Sequence, residues 1–297
     1  MIKKITKKEY RTKLINCIVH QDHRNKARPD KFYYEDSYAT KIREYFDNQS
    51  PKVKSLETIY SSRSKTTSIC SFLSSGRLCY NYFRNLVETG EKKAISFEVP
   101  LENDLPYASK HPTKMDAVDY KEKEYYECKC DEITASKHDL LSISYFQKST
   151  LFNEFGITRV TAEKYINESS TDEQQKESVY IKFPASLLVD FTPLLKEFPK
   201  YKNCCYNEMC FDFKQFVCHL LALARVEGKK KLIYVVFVPN KKELDYYPAL
   251  MQREMECIKN SPKIDGFMKE HGIDFGWNFV SIGDVVDINY QETYKNK

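Results

Sequence analysis

The chain is 297 residues long with 41% hydrophobic and 14% aromatic residues, the composition of a globular protein able to bury one large core or two modest ones. No apolar run reaches membrane-spanning length, and no apolar segment follows the basic opening Met1 to Lys8, which excludes a membrane span and a secretory signal; ten irregularly spaced cysteines read as reduced thiols in a cytoplasm, not as a disulfide framework. The net charge of +5 is uneven, because residues 1 to 65 carry 16 Lys and Arg against 8 Asp and Glu, so the remainder is net acidic.

Taken in chain order, residues 1–70 read as a basic, mainly helical extension packed on the core, with Tyr38 to Phe46 as one amphipathic piece ended by Pro51. Its surplus of cations suits an arm that tracks phosphates; for a single cluster such as Arg24, Lys26 and Arg28, a solvated helical surface is an equal reading. Tyr33, Tyr34 and Tyr38 are the aromatic residues best placed there to stack on nucleic acid. Ser61 to Ser75 is a Ser- and Thr-rich connector, and the helix after it runs to about Glu88 and is closed by Gly90.

Residues 71–297 form the second unit. Strands are expected at Ala94 to Leu101, Lys114 to Tyr120 and Tyr125 to Asp131, separated by Pro100, Pro106 and Pro112, which cannot sit inside a central ladder. Leu141 to Phe155 reads as a helix, Asn167 to Ser178 as a surface loop and Val179 to Phe183 as a short strand. Phe213 to Arg225 has the helical period with Gly228 as its stop, and Leu232 to Val238 is a continuous β-branched and aromatic run of the kind buried in a sheet. The order helix, three strands, helix, strand, with helical additions at both ends, implies an α/β fold: a central mixed sheet with helices on both faces.

The chemistry concentrates in Met115 to Glu132. Residues two apart on a strand share a face, so Glu127 and Lys129 project together while Cys128 points into packing. Asp116 joins that face if the turn near Lys121 to Glu124 gives an odd-sum register, pairing it with Glu127 or with Lys129; a slip of one residue turns it away. Two carboxylates plus the main-chain carbonyl of Cys128 then suit a hard divalent cation, Mg2+ with Mn2+ as a substitute, which would polarise a phosphate and acidify a water. Lys129 would offset charge in the transition state, or, with a lowered pKa, accept a proton. Asp119/Lys121, Asp212/Lys214, Glu91/Lys93 and Glu227/Lys229 match the same spelling but lack the strand-like run and the upstream acid. The plain alternative is the solvated face of an antiparallel hairpin.

These residues resemble the PD-(D/E)XK nuclease superfamily, in particular a bacterial group of restriction-endonuclease-like proteins. Asp116-Ala117-Val118 followed by Glu127-Cys128-Lys129 and Glu132 is similar to that group's Asp-Ala and Glu-x-Lys-Tyr-x-Glu pattern, with Cys130 in the place of the aromatic. Ser74 to Phe83 is similar to its Ser-Ser-x-x-x-Cys-Phe-Asn-x-Phe helix opening, departing at Gly76 and Arg77, and Gln215 to Ala224 to the helix where the family places a Gln near the site. The resemblance covers about residues 70 to 240. It implies a restriction-endonuclease-like core and a Mg2+-dependent DNA endonuclease, with Asp116, Glu127, Lys129 and Gln215 catalytic and Asp116, Glu127 and the Cys128 carbonyl on the metal. Competing readings are a DNA-binding protein that does not cleave and a nuclease of repair or recombination that recognises structure. DNA is the expected partner, no membrane is involved, and cutting both strands is simplest for a two-fold homodimer.

Other members of the site stay open at this level. Glu98, in Ile95-Ser96-Phe97-Glu98-Val99, is a further metal ligand, an acceptor behind the ligands or an ordinary salt-bridge partner. Gln215 and His219 share a helical face, but His219 amid Leu220, Leu221 and Leu223 reads better as a satisfied core histidine. Cys204, Cys205, Cys210, Cys218 and His219 cluster in sequence without the spacing of a zinc finger.

Overall fold

The structure, a computed structural model, describes residues 3–21, 27–28, 33–34, 75–101, 113–134, 140–142, 180–182, 185–199, 201 and 209–285. Helix α1 (Lys7–Gln21) starts with a reciprocal cap: the Thr6 N–H donates to Glu9 Oε2 (2.6 Å) and the Glu9 N–H to Thr6 Oγ1 (3.1 Å). Its Tyr10, Leu14 and Ile15 enter the core, Lys13 pairs with Asp245 at 3.0 Å, and Arg11 pairs with Asp131 at 2.5 Å. Within the expected helical extension, Ala27–Arg28 and Tyr33–Tyr34 instead pair as a short antiparallel ladder. The expected helix at Tyr38 to Phe46, the side chains of Arg24, Lys26, Arg28, Tyr33, Tyr34 and Tyr38, and the Ser61 to Ser74 connector lie outside the described residues.

Helix α2 (Ser75–Glu88) buries Leu78, Cys79, Tyr80 and Phe83 and stops at Gly90, whose φ of +79° is left-handed. The chain then builds β1 (Ser96–Pro100), β2 (Lys114–Asp119) and β3 (Glu124–Lys129) as an antiparallel meander. Pro100 is tolerated because β1 is the edge of the sheet. Helix α3 (Phe213–Leu223) crosses over to β4 (Lys230–Val238), which lies parallel to β3. Helices α4 (Tyr246–Lys259) and α5 (Pro262–Glu270) lead to β5 (Ile273–Ser281), parallel to β4. The five-stranded mixed sheet runs in the order β1-β2-β3-β4-β5.

Two expectations fail here. Residues 141–142, read as the start of a helix, belong to the strand Leu140–Ser142, which pairs with Tyr180–Lys182; the rest of that reading and the Asn167 to Ser178 loop lie outside the described residues. The C-terminal additions are not all helical, because β5 completes the sheet. Gly276, Asp274 and Asn278 dilute its apolar signal, and as an edge strand it is only partly buried.

Both faces of the sheet are filled. On one, Phe83 of α2 meets Tyr126 edge-on (4.6 Å between centroids) and Tyr82 meets Phe237. On the other, Phe216 of α3 meets Phe275 (4.7 Å) and Phe211 meets Tyr234 (4.8 Å). Pairing of Glu127 with Tyr234 in the parallel ladder puts Glu127 and Lys129 on this α3 face.

The segment entering α3 is held from below by Glu254 of α4. This carboxylate is 0% exposed and accepts from the N–H groups of Cys210 (2.9 Å) and Phe211 (2.8 Å). Glu254→Ala removes the acceptor for two buried amides and is expected to lower the unfolding free energy by about 3 kcal/mol. Arg253→Ala, which removes exposed ion pairs to Glu197 and Glu256, should cost less than about 1 kcal/mol. Urea denaturation of the two variants measures the contrast, and equal losses would show that Glu254 does not organise the helix start.

Candidate active site

The β2–β3 turn sets the site's register. Asp119 Oδ1 accepts from the N–H groups of Lys121 and Glu122, both at 3.1 Å, and Lys123 takes a left-handed φ of +52°. Lys92 pairs with Asp119 (3.2 Å) and with Glu124, and Glu124 also receives the Tyr126 hydroxyl (2.5 Å) and Lys231 (3.2 Å). The ladder that follows pairs Asp119 with Glu124, Val118 with Tyr125 and Ala117 with Tyr126. Continued by one residue, this odd-sum register puts Asp116 opposite Glu127, the first of the two pairings open to the sequence.

Beyond Ala117 the ladder gives way to a side-chain contact: the Cys128 N–H donates to Asp116 Oδ2 at 2.7 Å. In a strand the N–H and C=O of one residue point to the same neighbour, so the Cys128 carbonyl also faces the Asp116 side. The Cys128 thiol is buried on the opposite face, against Cys79.

Helix α3 supplies the next member. Asp212 caps it by accepting from the Gln215 N–H (3.0 Å), which fixes Gln215 in the first turn and sends its amide toward β3. Gln215 Nε2 donates to Glu127 Oε1 (2.7 Å), and Gln215 Oε1 accepts from Lys129 Nζ (2.8 Å). Lys129 Nζ itself contacts Glu127 Oε1 at 2.5 Å. Glu127 and Lys129 are 3% and 8% exposed, so this triangle of carboxylate, ammonium and amide is nearly closed to water.

His219, one helical turn beyond Gln215, lies beneath the triangle. Its Nδ1 is 3.1 Å from the Tyr234 hydroxyl, and its Nε2 is 3.6 Å from Glu127 Oε2. Burial and the charge of Lys129 pull its pKa down to about 3, so the ring is neutral. Burial keeps the Tyr234 hydroxyl protonated, and the neutral ring shares a hydrogen bond with it while also meeting the backbone of Lys114. The core-histidine expectation captures the burial of His219 but not its position against the candidate acid. Tyr234 was missed altogether; its only signal was its place inside a run read as core.

Glu98 sits on β1 across from Asp116, between the pairs Phe97 with Ala117 and Val99 with Met115, and its backbone is left-handed at φ +50°. Lys114 approaches it at 3.9 Å, and burial followed by the charge of Asp116 raises its pKa. Glu132, without an assigned role in the sequence, accepts from the Cys130 N–H (2.7 Å) and from the Ser75 hydroxyl (2.7 Å). It thereby ties the first residue of α2 to the end of β3.

The charges do not balance. Burial works to discharge Lys129, but Glu127, Glu132 and Asp116 outweigh it and raise its pKa, so Lys129 is a fixed cation and the option of a lowered pKa is corrected. Burial also raises Glu127, against the pull of Lys129 and Gln215, and burial together with the charge of Glu127 pushes Asp116 up to about 8. One ammonium thus serves more than one carboxylate. Among the described residues no set of three or more His, Cys, Asp or Glu side chains is arranged to hold a metal ion, and Cys210, Cys218 and His219 form no such group; Cys204 and Cys205 lie outside the described residues. Two carboxylates and a carbonyl, all hard oxygen donors, nevertheless fit Mg2+, which keeps several waters and commonly uses one or two protein carboxylates.

The elevated Asp116 pKa has a stability consequence. A carboxyl whose folded pKa of about 8 exceeds its ordinary 3.8 favours the fold at low pH and weighs against it as pH rises between those values. In EDTA, Asp116→Asn keeps an acceptor for the Cys128 N–H and should stabilise the protein by about 2–4 kcal/mol at pH 8.5, with the gain vanishing near pH 4. Thermal unfolding across that range checks it; a gain independent of pH would show that Asp116 is not a strained acid. No family model, no curated protein and no solved structure matches this chain.

Proposed function

We propose that the protein is a Mg2+-dependent DNA endonuclease of restriction-endonuclease-like architecture. The observation that carries this reading is the β2–β3 register, which leaves Asp116 across from Glu127 and accepting the Cys128 N–H, with Lys129 and Gln215 closing on Glu127. The order α2, three antiparallel strands, α3 and a strand parallel to β3 agrees with the resemblance to PD-(D/E)XK nucleases.

Asp116, Glu127 and the Cys128 carbonyl would hold the ion, Mg2+ or Mn2+ in its place. Its chemistry, when bound, is to polarise the phosphate and acidify a water. Lys129 remains protonated and offsets the negative charge that grows on phosphorus oxygens, so it acts as an electrostatic group and not as a base. Gln215 holds Lys129 through its oxygen and Glu127 through its nitrogen, fixing both rotamers. His219 sets a neutral ring beside the far oxygen of Glu127 and adds no charge there.

Incubation of supercoiled plasmid with the purified protein and Mg2+ should give nicked and linear products. Asp116→Ala and Lys129→Ala should each lower the rate by about 100-fold or more. Plasmid that shifts in a gel yet stays intact with Mg2+ and with Mn2+ would replace this reading with that of a DNA-binding protein. A fixed sequence at the product ends indicates restriction, and scattered ends indicate repair or processing.

A further inference from the structure

A cavity opens near the end of β3. Its volume is about 170 Å3, and it is walled by Ile133, Tyr201, Met209, Cys210, Tyr246, Tyr247 and Leu250, with Lys4 and Lys7 at its mouth. The wall residues are all buried, whereas both lysines are exposed. Ile133 belongs to the turn Asp131–Thr134 that directly follows β3, and Cys210 leads into the cap of α3. The cavity therefore lies beside the end of β3 that carries Lys129 and the segment that leads into α3 and Gln215.

Size and chemistry narrow the occupant. A cavity of about 150 Å3 takes a single aromatic ring, so this one suits one planar base and nothing much larger. Tyrosine rings and a methionine are the side chains on which any base stacks with little regard to its identity. At the mouth, Lys4 lies 5.6 Å over the Tyr246 ring, and Lys7 makes no ion pair among the described residues. Two ammonium groups above an aromatic floor complement a group with an apolar plane at one end and an anion at the other. The Tyr247 hydroxyl donates to the Ile5 carbonyl (3.0 Å), which holds the lysine-bearing segment against the cavity wall.

We infer that this cavity receives one unpaired nucleotide of a DNA strand, its base in the tyrosine-walled cavity and its phosphate at Lys4 and Lys7. The inference rests on the nucleic-acid reading of the neighbouring site and deepens it, since it makes a locally unpaired strand the preferred substrate. Arg11 paired with Asp131 braces α1 against the turn that follows β3 and carries Ile133.

The test uses the full chain in EDTA, where binding is separated from cleavage. The probes are a fully paired duplex and the same duplex carrying one unpaired nucleotide, read by fluorescence anisotropy. The unpaired probe should bind about tenfold more tightly. Lys4→Ala with Lys7→Ala should weaken it and lower the salt slope by about one. Leu250→Phe, which fills the cavity from its wall, should abolish the preference while leaving the paired duplex bound. A 5-iodouracil at the unpaired position should photocross-link to Tyr201, Met209, Tyr246 or Tyr247. Equal affinity for both probes, or cross-links only outside these residues, overturns the inference. Cleavage of plasmid without the preference removes the cavity's role alone; the preference and cross-link without cleavage in any metal remove the nuclease reading alone.

Discussion

The turn between β2 and β3 decides everything that the candidate site can do. Side chains alternate along a strand, so a shift of one residue in that hairpin would send Asp116 to the α2 face and leave Glu127 with Lys129 and Gln215 but no second acid. The register is held at its closed end by Asp119, which gathers two turn amides, and by Lys92 and Lys231 converging on Glu124. None of these groups reaches the site. Their work is geometric, and it explains why a dense cluster of charge stands at the opposite end of the strands from the chemistry: the turn is exposed and short, and polar contacts are the ones available to it.

Burial gives the site its electrostatic character. Glu127 and Lys129 are nearly excluded from water, and a half-compensated cluster of this kind destabilises a fold compared with apolar residues of the same shape. Lys129 answers Glu127, and Asp116 is left as an acid with a raised pKa and one backbone donor. His219 could have relieved the excess by protonating, yet burial and the ammonium of Lys129 keep it neutral. The surplus of carboxyl groups over cations is therefore built into the packing, and it is what the proposed divalent cation would answer. Glu98, held in a left-handed backbone beside Asp116, is a further local strain on the same edge.

Part of this was legible in the sequence. Period-two alternation placed Glu127 and Lys129 on one face, and the helix from Phe213 was readable from its apolar period, while the approach of Gln215 was implied by the resemblance to the nuclease family. The pairing of Asp116 could only be stated as a condition, because register depends on Lys92 and Lys231, which are remote in sequence from the turn they hold. The charge state of Lys129 was unreadable for a similar reason: it depends on Asp116, Glu127 and Glu132 meeting around one ammonium. The strand Ile273–Ser281 escaped because two of its nine residues that would signal a core, Trp277 and Phe279, are only partly buried at an edge, and Gly276 interrupts the run. His219 is the satisfied core histidine its apolar neighbours implied, but its approach to Glu127 was not readable from them.

The use of Gln215 shows how the fold couples stability to geometry at this site. Asp212 and Gln215 have the spacing of a helix cap in which the second side chain normally reaches back to the first residue. Here only half of that exchange is made: Asp212 accepts the Gln215 N–H, while the Gln215 amide turns away to bridge Glu127 and Lys129. The helix start is secured instead by Glu254, which accepts the two preceding amides from beneath. A carboxylate on α4 thus anchors the two residues ahead of the cap, and the helix start is held by a residue outside both α3 and β3. Displacing that helix start by even 1 Å would loosen both hydrogen bonds of the amide at once, a misplacement to which oriented catalytic groups are sensitive by about 100-fold in rate. Precision at the candidate site is therefore inherited from a buried contact behind it and not from the site residues alone.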